Sequence, residues 1–288
     1  MNRLLGSLIQ KRAAGEKYMK SNQRTVSRGA TLIVSAVTLM NSDAYAVNLG
    51  TAGNFAVLGG ATVVNTGPSV ISGGNVGVSP GSAIVGFPPG IVTPPYTLHT
   101  ADAVALQAQN DLTTAYNAAA GLASTTDLTG QDLGGLTLVP GVYSFSSSAQ
   151  LTGTLTLNYQ GNPDAEFVFQ IGSSLITASA SSVAFINTGI GSTPGCDLFW
   201  QVGSSATIGT GTDFAGHILA LTSITLNTGA TLDGSALARN GAVTLDSNLI
   251  DNTICNPVGV PDSVNTMLLL GVGGLPLLAA SRAQLRKA

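Results

Sequence analysis

Pairs of carboxylates are the residues of this chain whose type and spacing come nearest to catalytic chemistry. Asp164 and Glu166 lie two residues apart, and Asp246 and Asp251 lie five apart. Glycoside hydrolases and polysaccharide lyases combine such carboxylates with a basic residue or with aromatic rings that stack on sugar, but neither pair has a basic partner within its own repeat. We therefore interpret these acids as turn formers and surface charges. A polysaccharide-active enzyme is the third hypothesis, and it requires carboxylates that converge in one groove.

The other reactive side chains are too few and too far apart for catalysis or metal binding. The chain has two histidines, His99 and His217, and two cysteines, Cys196 and Cys255, a set without metal-ligand spacing. We expect no enzyme activity, no cofactor and no metal. A secreted compartment would allow the two cysteines to pair in a structural disulfide.

Short hydroxyl side chains recur at similar places in the C-terminal half of the chain. On stacked strands, Thr residues two apart lie about 6.6 Å from each other and about 4.8 Å from their equivalents in the next coil, so they form a flat grid. The grid is stiff because Thr is β-branched. Its hydroxyls can anchor waters and its methyls favour cage-like hydration, so the grid would hold an ice-like layer. The candidate contact residues are Thr177, Ser179, Thr210, Thr212, Thr228, Thr231 and Ser247, followed by Thr66 and Ser69.

A repeat of about eighteen residues would position these side chains. Similar units begin at Phe167, Leu198, His217 and Ser235, with a weaker copy at Val142. Each unit consists of short β-type runs broken by Gly, Asn or Asp, and no unit could bury its apolar face alone. Stacked coils of a β-solenoid bury those faces against one another. A β-sandwich is the alternative, and Thr suits exposed strands of either fold without any ligand.

One long helix is predicted to interrupt the coils, at about residues 97–121. Apolar positions recur there at steps of three and four residues, after two prolines and before Gly121. A single apolar stripe implies that the helix lies along the solenoid and buries the stripe against it. The residues of the stripe are Leu98, Ala101, Ala105, Ala108, Leu112, Ala115, Tyr116 and Ala119.

Several stretches resemble the microbial ice-binding protein family, among them LFWQVGSSATIGTGTDFAG and HILALTSITLNTGATLDG. The resemblance covers residues 47–255 nearly end to end. It implies a mainly β fold, a discontinuous right-handed β-solenoid of triangular section with one long α-helix alongside, and ice binding by one flat face. Some family members carry the pattern Thr-Ala/Gly-x-Thr/Asn on that face, and residues 228–231 of this chain fit it fully while residues 66–69 nearly do.

The charges of the chain are segregated between its ends and its body. Between residues 47 and 260, eleven acids face a single basic residue, Arg239, so we expect no nucleic-acid partner. Before them, a basic stretch leads into the apolar segment 30–40 and then Ala44-Tyr45-Ala46, which has the form of a signal-peptidase site. Residues 1–46 are therefore predicted to be a signal peptide, with Met19 as a possible start; a retained anchor would need a longer apolar run.

The C-terminal segment, residues 257–288, is predicted to be a sorting or membrane-anchor segment. Val260-Pro261-Asp262-Ser263 precedes an apolar run and three terminal cations, an arrangement that resembles bacterial sorting signals of the PEP-CTERM type, processed by an exosortase-like transpeptidase. A plain C-terminal anchor is the alternative. Both place the body, residues 47–256, outside the inner membrane, secreted or attached to the envelope, with membrane contact through this segment alone.

The resulting hypothesis is an exported, monomeric, non-enzymatic β-solenoid that adsorbs to ice and inhibits ice growth and recrystallisation. The second hypothesis is an exported surface or matrix protein, structural or adhesive, without affinity for ice. Whether slowly growing ice takes up the purified protein would distinguish the two.

Overall fold

The computed structural model describes residues 47–255. The predicted leader, residues 1–46, and the predicted C-terminal segment, residues 257–288, lie outside the described residues. Within the described range, no helix has the length and apolar character needed to cross a membrane.

Short strands rich in Val, Ile, Leu and Thr make up most of the described chain. The α-helix α1 is Ala103–Gly121, and a 3₁₀ helix, η1, is Gly50–Asn54. The strands are β1 Phe55–Gly59, β2 Thr62–Thr66, β3 Val70–Ser72, β4 Asn75–Val78, β5 Ala83–Val85, β6 Ile91–Val92, β7 Leu98–Thr100, β8 Thr126–Asp127, β9 Thr137–Leu138, β10 Gly141–Phe145, β11 Ala149–Leu151, β12 Thr154–Asn158, β13 Phe167–Ile171, β14 Leu175–Thr177, β15 Ser182–Ile186, β16 Leu198–Val202, β17 Ala206–Ile208, β18 Asp213–Ala220, β19 Ile224–Leu226, β20 Thr231–Ala238, β21 Val243–Asp246 and β22 Leu249–Asp251.

Each coil contributes one strand to each of three sides, and each strand pairs in parallel with its equivalent in the next coil. Strands β10, β11 and β12 form one such coil, and β13, β14 and β15 form the next. The long strands β18 and β20 bend around a corner, so that their two halves lie on different sides. This arrangement confirms the predicted β-solenoid.

The three sides are named here by what they carry. The helix side contains β10, β13, β16, the second halves of β18 and β20, β1 and β4. The threonine side contains β11, β14, β17, β19, β21, β2 and β5. The acidic side contains β12, β15, the first halves of β18 and β20, β22, β3 and β6.

The order of the coils in space differs from their order in the chain. The N-terminal strand β1 pairs with β20, with Val57 opposite Ala236, and β2 and β3 pair with β21 and β22. The chain therefore starts in the middle of the stack and builds one end of it. It then passes through α1 and restarts at the other end with β8 and β9, which is the predicted discontinuity.

Stacked aromatic rings fill the interior between the three sides. The rings of Phe169 and Trp200 lie 4.1 Å apart between centroids, with Tyr143 and Phe214 on either side of the pair. The indole nitrogen of Trp200 donates to the carbonyl of Ala215 at 2.9 Å. Tyr143, Phe169 and Trp200 occupy paired positions of β10, β13 and β16, so a buried ring repeats over three coils before Ile218 takes this position in β18.

Helix α1 lies along the helix side and begins later than predicted. Leu98 belongs to β7, which pairs with β4, and Asp102 caps the helix by accepting a hydrogen bond from the backbone N–H of Ala105 at 2.8 Å. The predicted start at residue 97 is therefore wrong, because strand pairing and the cap delay the helix to Ala103. The stripe within the helix is buried as predicted: Ala105, Ala108, Leu112, Ala115, Tyr116 and Ala119.

The register of the coils differs by one residue from the repeats aligned by sequence. Phe199, not Leu198, pairs with His217, and the next coil follows with Ser235 opposite His217. Gly216 and Gly234 form the intervening corner with φ of +97° and +144°. A Cβ on Gly234 would lie 2.3 Å from the carbonyl oxygen of Gly216, so this corner requires glycine.

A disulfide joins Cys196 to Cys255, which confirms the predicted pairing. Cys196 follows the insertion before β16, and Cys255 follows β22. The bond links the end of the last coil to an earlier one, 59 residues away in the chain.

Candidate functional site

The helix side is covered by the protein itself. Leu112 and Tyr116 of α1 pack in one buried cluster with Phe199, and Gln170 donates to the carbonyls of Ala119 and Leu122 at the end of the helix, each at 2.8 Å. Arg239 lies 4.7 Å from the centre of the Tyr116 ring. Helix α1 therefore covers the central strands of this side.

The acidic side carries carboxylates in adjacent coils. Asp213 and Asp233 lie in the first halves of β18 and β20, and Asp251 pairs directly with Asp233. Burial, together with repulsion from Asp251 and Asp213, raises the pKa of Asp233. Ionised groups hold their own hydration water, so this side is poorly suited to an ordered, uncharged contact.

The threonine side is nearly free of ionisable groups. Among its seven strands, only Asp246, at the end of β21, can ionise. In β11, β14, β17 and β19 the middle residue faces outward because its neighbours are buried, as Ile224 and Leu226 are around Thr225. In successive coils, paired positions form a central column of Gln150, Ile176, Thr207, Thr225, Thr244, Val64 and Val85.

Three adjacent threonines at the centre of this column have unengaged hydroxyls. Within residues 47–255, no protein group hydrogen-bonds to the hydroxyl of Thr207, Thr225 or Thr244. On the acidic side, by contrast, the hydroxyls of Thr154 and Ser182 bond to each other at 2.8 Å. The threonine side thus presents hydroxyls that are available to solvent.

Five of the predicted contact residues lie together along one edge of the threonine side. The hydroxyls of Thr228 and Ser247 both donate to the carboxylate of Asp246, so their protons are engaged. The other three are exposed. From coil to coil, the five follow the order Ser179, Thr210, Thr228, Ser247 and Thr66.

Three predicted contact residues are inside the protein, which corrects the prediction for them. The Thr177 hydroxyl accepts the Gly209 N–H at 2.8 Å, and Thr212 donates to the carbonyl of Ala178 at 3.0 Å. Ser69 is likewise buried. These side chains point inward and satisfy backbone groups at the corners, so they cannot touch a crystal.

Thr231 also lies apart from the threonine side. It belongs to β20 on the acidic side, where its hydroxyl donates to Asp213 at 3.0 Å. The nine predicted residues therefore do not form one plane. They divide among an edge, the interior and a second side.

Sequence reasoning missed the central threonines, although a signal for them exists. Thr207, Thr225 and Thr244 each stand between two apolar residues, and these triplets recur at intervals of 18 and 19 residues. Alternation with period two identifies the middle residue as the outward one. The prediction relied instead on hydroxyl residues that flank turns, such as Thr228 and Thr231. These residues lie at the corners of the coils.

The arrangement offers a rigid lattice rather than reactive groups. Within the described range, no three His, Cys, Asp or Glu side chains come together as metal ligands. The solenoid and this surface define a class of protein: a β-solenoid with one side that is nearly free of ionisable groups and presents hydroxyl and methyl groups.

Comparison with known proteins identifies the family within this class. A family model described as Ice-binding-like matches residues 57–251, so the chain belongs to the ice-binding-like family. An ice-binding protein of Nostoc sp. (strain HG1) is 54% identical over 264 residues, covering 89% of this chain and 95% of the relative. One from Colwellia sp. is 36% identical over 231 residues, covering 76% and 88%.

Solved structures agree with the family assignment. An ice-binding protein from an Antarctic biological consortium has a TM-score of 0.67 and 47% identity, over 71% of this chain and 90% of that one. An ice-binding protein from an Arctic yeast has a TM-score of 0.65 and 31% identity, over 77% and 99%. Membership of this family, whose members are not enzymes, supports the prediction of a non-enzymatic protein.

Proposed function

We propose that the protein binds ice through the threonine side and thereby inhibits ice growth and recrystallisation. The observation that carries the proposal is the central column, where the hydroxyls of Thr207, Thr225 and Thr244 lie side by side without protein partners. Family membership and the ice-binding relatives support it independently.

The column is suited to ordering water because its geometry is set before any ligand arrives. Equivalent side chains in paired coils repeat at about 4.8 Å, and restricted χ1 rotation fixes the Thr methyl and hydroxyl relative to each other. Each contact with water is weak, so affinity depends on many contacts that lose little conformational entropy on binding. Val64 and Ile176, on either side of the threonines, extend the apolar part of the surface.

Adsorption at such a surface would act on crystals without chemistry. A bound molecule stops the crystal front locally, so ice grows between adsorbed molecules as curved fronts, and curvature opposes further growth. The edge formed by Ser179, Thr210 and Thr66 would widen the contact, while Thr228 and Ser247 contribute less because Asp246 engages their hydroxyls.

The test is a large charged side chain at the centre of the threonine side. Thr225→Arg should raise the concentration needed to inhibit recrystallisation by about tenfold or more, which corresponds to a loss of about 1.4 kcal/mol of adsorption energy. Thr156→Arg is the matched control, since Thr156 is a half-buried strand threonine on the acidic side. Equal loss in both variants, or none in Thr225→Arg, would contradict the proposal.

The second hypothesis, a surface or matrix protein without ice affinity, predicts a different result with the unmodified protein. Slowly growing ice should incorporate the protein from solution if the threonine side binds ice. Exclusion into the remaining liquid would favour the structural role.

We also infer that the protein is exported as a monomer whose body, residues 47–256, follows a removable leader. The disulfide between Cys196 and Cys255 supports an oxidising compartment. The C-terminal segment would then be a sorting signal cut by an exosortase-like enzyme. Mass determination of the exported protein would show the presence or loss of residues 257–288, and its sedimentation would show the oligomeric state.

A further inference from the structure

Val47, the residue after the predicted cleavage site, is held in place at both its side chain and its backbone. The residue as a whole is 8% exposed, and its side chain belongs to the apolar cluster that includes Phe199 and Leu112. Its backbone nitrogen donates to Oε1 of Glu166 at 3.2 Å. The nitrogen is therefore directed at a carboxylate 119 residues away in the chain.

Glu166 lies in a cleft that collects negative charge. Asp164 and Asp197 line the same cleft, together with Val47 and Phe199. Burial raises the pKa of Glu166 to about 7, with added repulsion from Asp197, while the hydrogen bond from Val47 opposes the rise. Burial and repulsion from Asp164 also raise the pKa of Asp197. The nearby Tyr159 supplies no charge, because burial keeps its pKa above the usual value.

No basic side chain of the described chain neutralises this cleft. Between residues 47 and 255, Arg239 is the single Lys or Arg, and it lies over the Tyr116 ring on the helix side. His217 is fully buried and stays neutral at pH 7, because burial lowers its pKa to about 4. The carboxylates of the cleft thus face one another and a single peptide N–H.

Cleavage after Ala46 would change that peptide N–H into an ammonium group. We propose that the α-amino group of Val47, freed by removal of the leader, binds as a cation in the cleft of Glu166, Asp164 and Asp197 and stabilises the processed protein. An ammonium offers three donors instead of one and a positive charge, and hydrogen bonds between ionised partners are the stronger kind. The proposal rests on cleavage at Ala46, not on ice binding.

The ion pair would reverse the contribution of Glu166 to the pH dependence of stability. With Val47 in a peptide bond, the raised pKa means that stability present below pH 4.5 is lost as the pH rises to about 7. With a free ammonium, the Glu166 pKa should fall below its ordinary value and that loss should disappear. The α-amino pKa should in turn rise above its usual range of about 7.7–8.0.

The experiment compares two exported forms of the full-length gene product. One is the natural sequence, and the other carries Ser-Gly inserted between Ala46 and Val47, which returns the Val47 nitrogen to a peptide bond. N-terminal sequencing should find Val47 first in the natural form. The natural form should melt about 2–4 °C higher, or more, at pH 7, and the difference should shrink toward pH 4.

Glu166→Gln in both forms separates the ion pair from a general effect of the insertion. The substitution should abolish most of the difference in melting temperature at pH 7, and ice recrystallisation assays should not distinguish the four proteins. NMR titration should find a raised α-amino pKa in the natural form and an ordinary one in Glu166→Gln. A different N-terminal residue, equal melting at pH 7, or a difference that survives Glu166→Gln would each overturn the proposal.

Discussion

Acidification from pH 7 to pH 4 should destabilise the protein through His217. Its ring is buried on the helix side, stacks on Phe199 at 5.5 Å and has Nδ1 2.7 Å from the Ser235 hydroxyl. Burial lowers the His217 pKa from 6.5 to about 4, opposed by a hydrogen bond with the backbone of Cys196. Below pH 6.5 the unfolded chain therefore binds a proton that the folded protein does not, and stability falls as the pH falls.

The size of this effect follows from the difference between the folded and unfolded pKa values. A drop from 6.5 to about 4 corresponds to roughly 3 kcal/mol of unfolding free energy, at about 1.36 kcal/mol for each pKa unit. Carboxyls with raised pKa, such as Glu166, act in the opposite direction, because their protonation stabilises the folded protein as the pH falls. Only a comparison with a variant lacking His217 isolates the contribution of the histidine to the loss of stability.

The matched variant is the double substitution His217→Phe with Ser235→Ala. It keeps a ring against Phe199 and removes the hydroxyl that would otherwise be left without a partner. Urea unfolding at pH 7 and pH 4 should show that the natural protein loses about 3 kcal/mol more than the double variant. The same pH dependence in both proteins would refute the reasoning.

The remaining predictions concern the scaffold. Leu112→Ala, in the helix stripe, should cost about 2–5 kcal/mol of unfolding free energy while ice recrystallisation inhibition at permissive temperature stays unchanged; lost activity in a folded variant would implicate the helix in ice contact. Replacing Cys196 and Cys255 by Ser should cost about 4 kcal/mol, the loop entropy of a bridge of this separation, and a melting temperature insensitive to reductant would contradict it. Gly234→Ala should destabilise far more than Gly229→Ala, since an added Cβ meets backbone only at the first, and similar melting temperatures would show that the corner yields.

The helix and most strands could be predicted because the spacing of apolar residues that indicates them lies within a short stretch of sequence. The stripe from Ala105 to Ala119 has helical spacing, and all its predicted members within α1 are buried. The apolar-Thr-apolar triplets have the spacing of strands, and they are strands. The start of the helix could not be predicted, because Leu98 belongs to a strand that pairs with β4. The spacing of apolar residues along the sequence carries no information about that pairing.

The contact surface depended on register, where local signals fail. Aligning Leu198 with His217 instead of Phe199 is an error of one residue, and a shift by one residue exchanges the inner and outer faces of a strand. Thr177 and Thr212 are the same residue type as Thr225, yet both are buried and bond to each other at 3.3 Å.

The sequence by itself determined the stacked-coil architecture, the helix along it and the near absence of cations from the body, since these depend on periodicity and composition. Only the tertiary structure decided which threonines face outward, that Asp246 engages the edge residues, and that the Val47 nitrogen meets Glu166. The physical reason is that side-chain direction on a strand alternates at every residue. Corner geometry and the pairing of distant coils therefore assign each hydroxyl to the surface or to the interior.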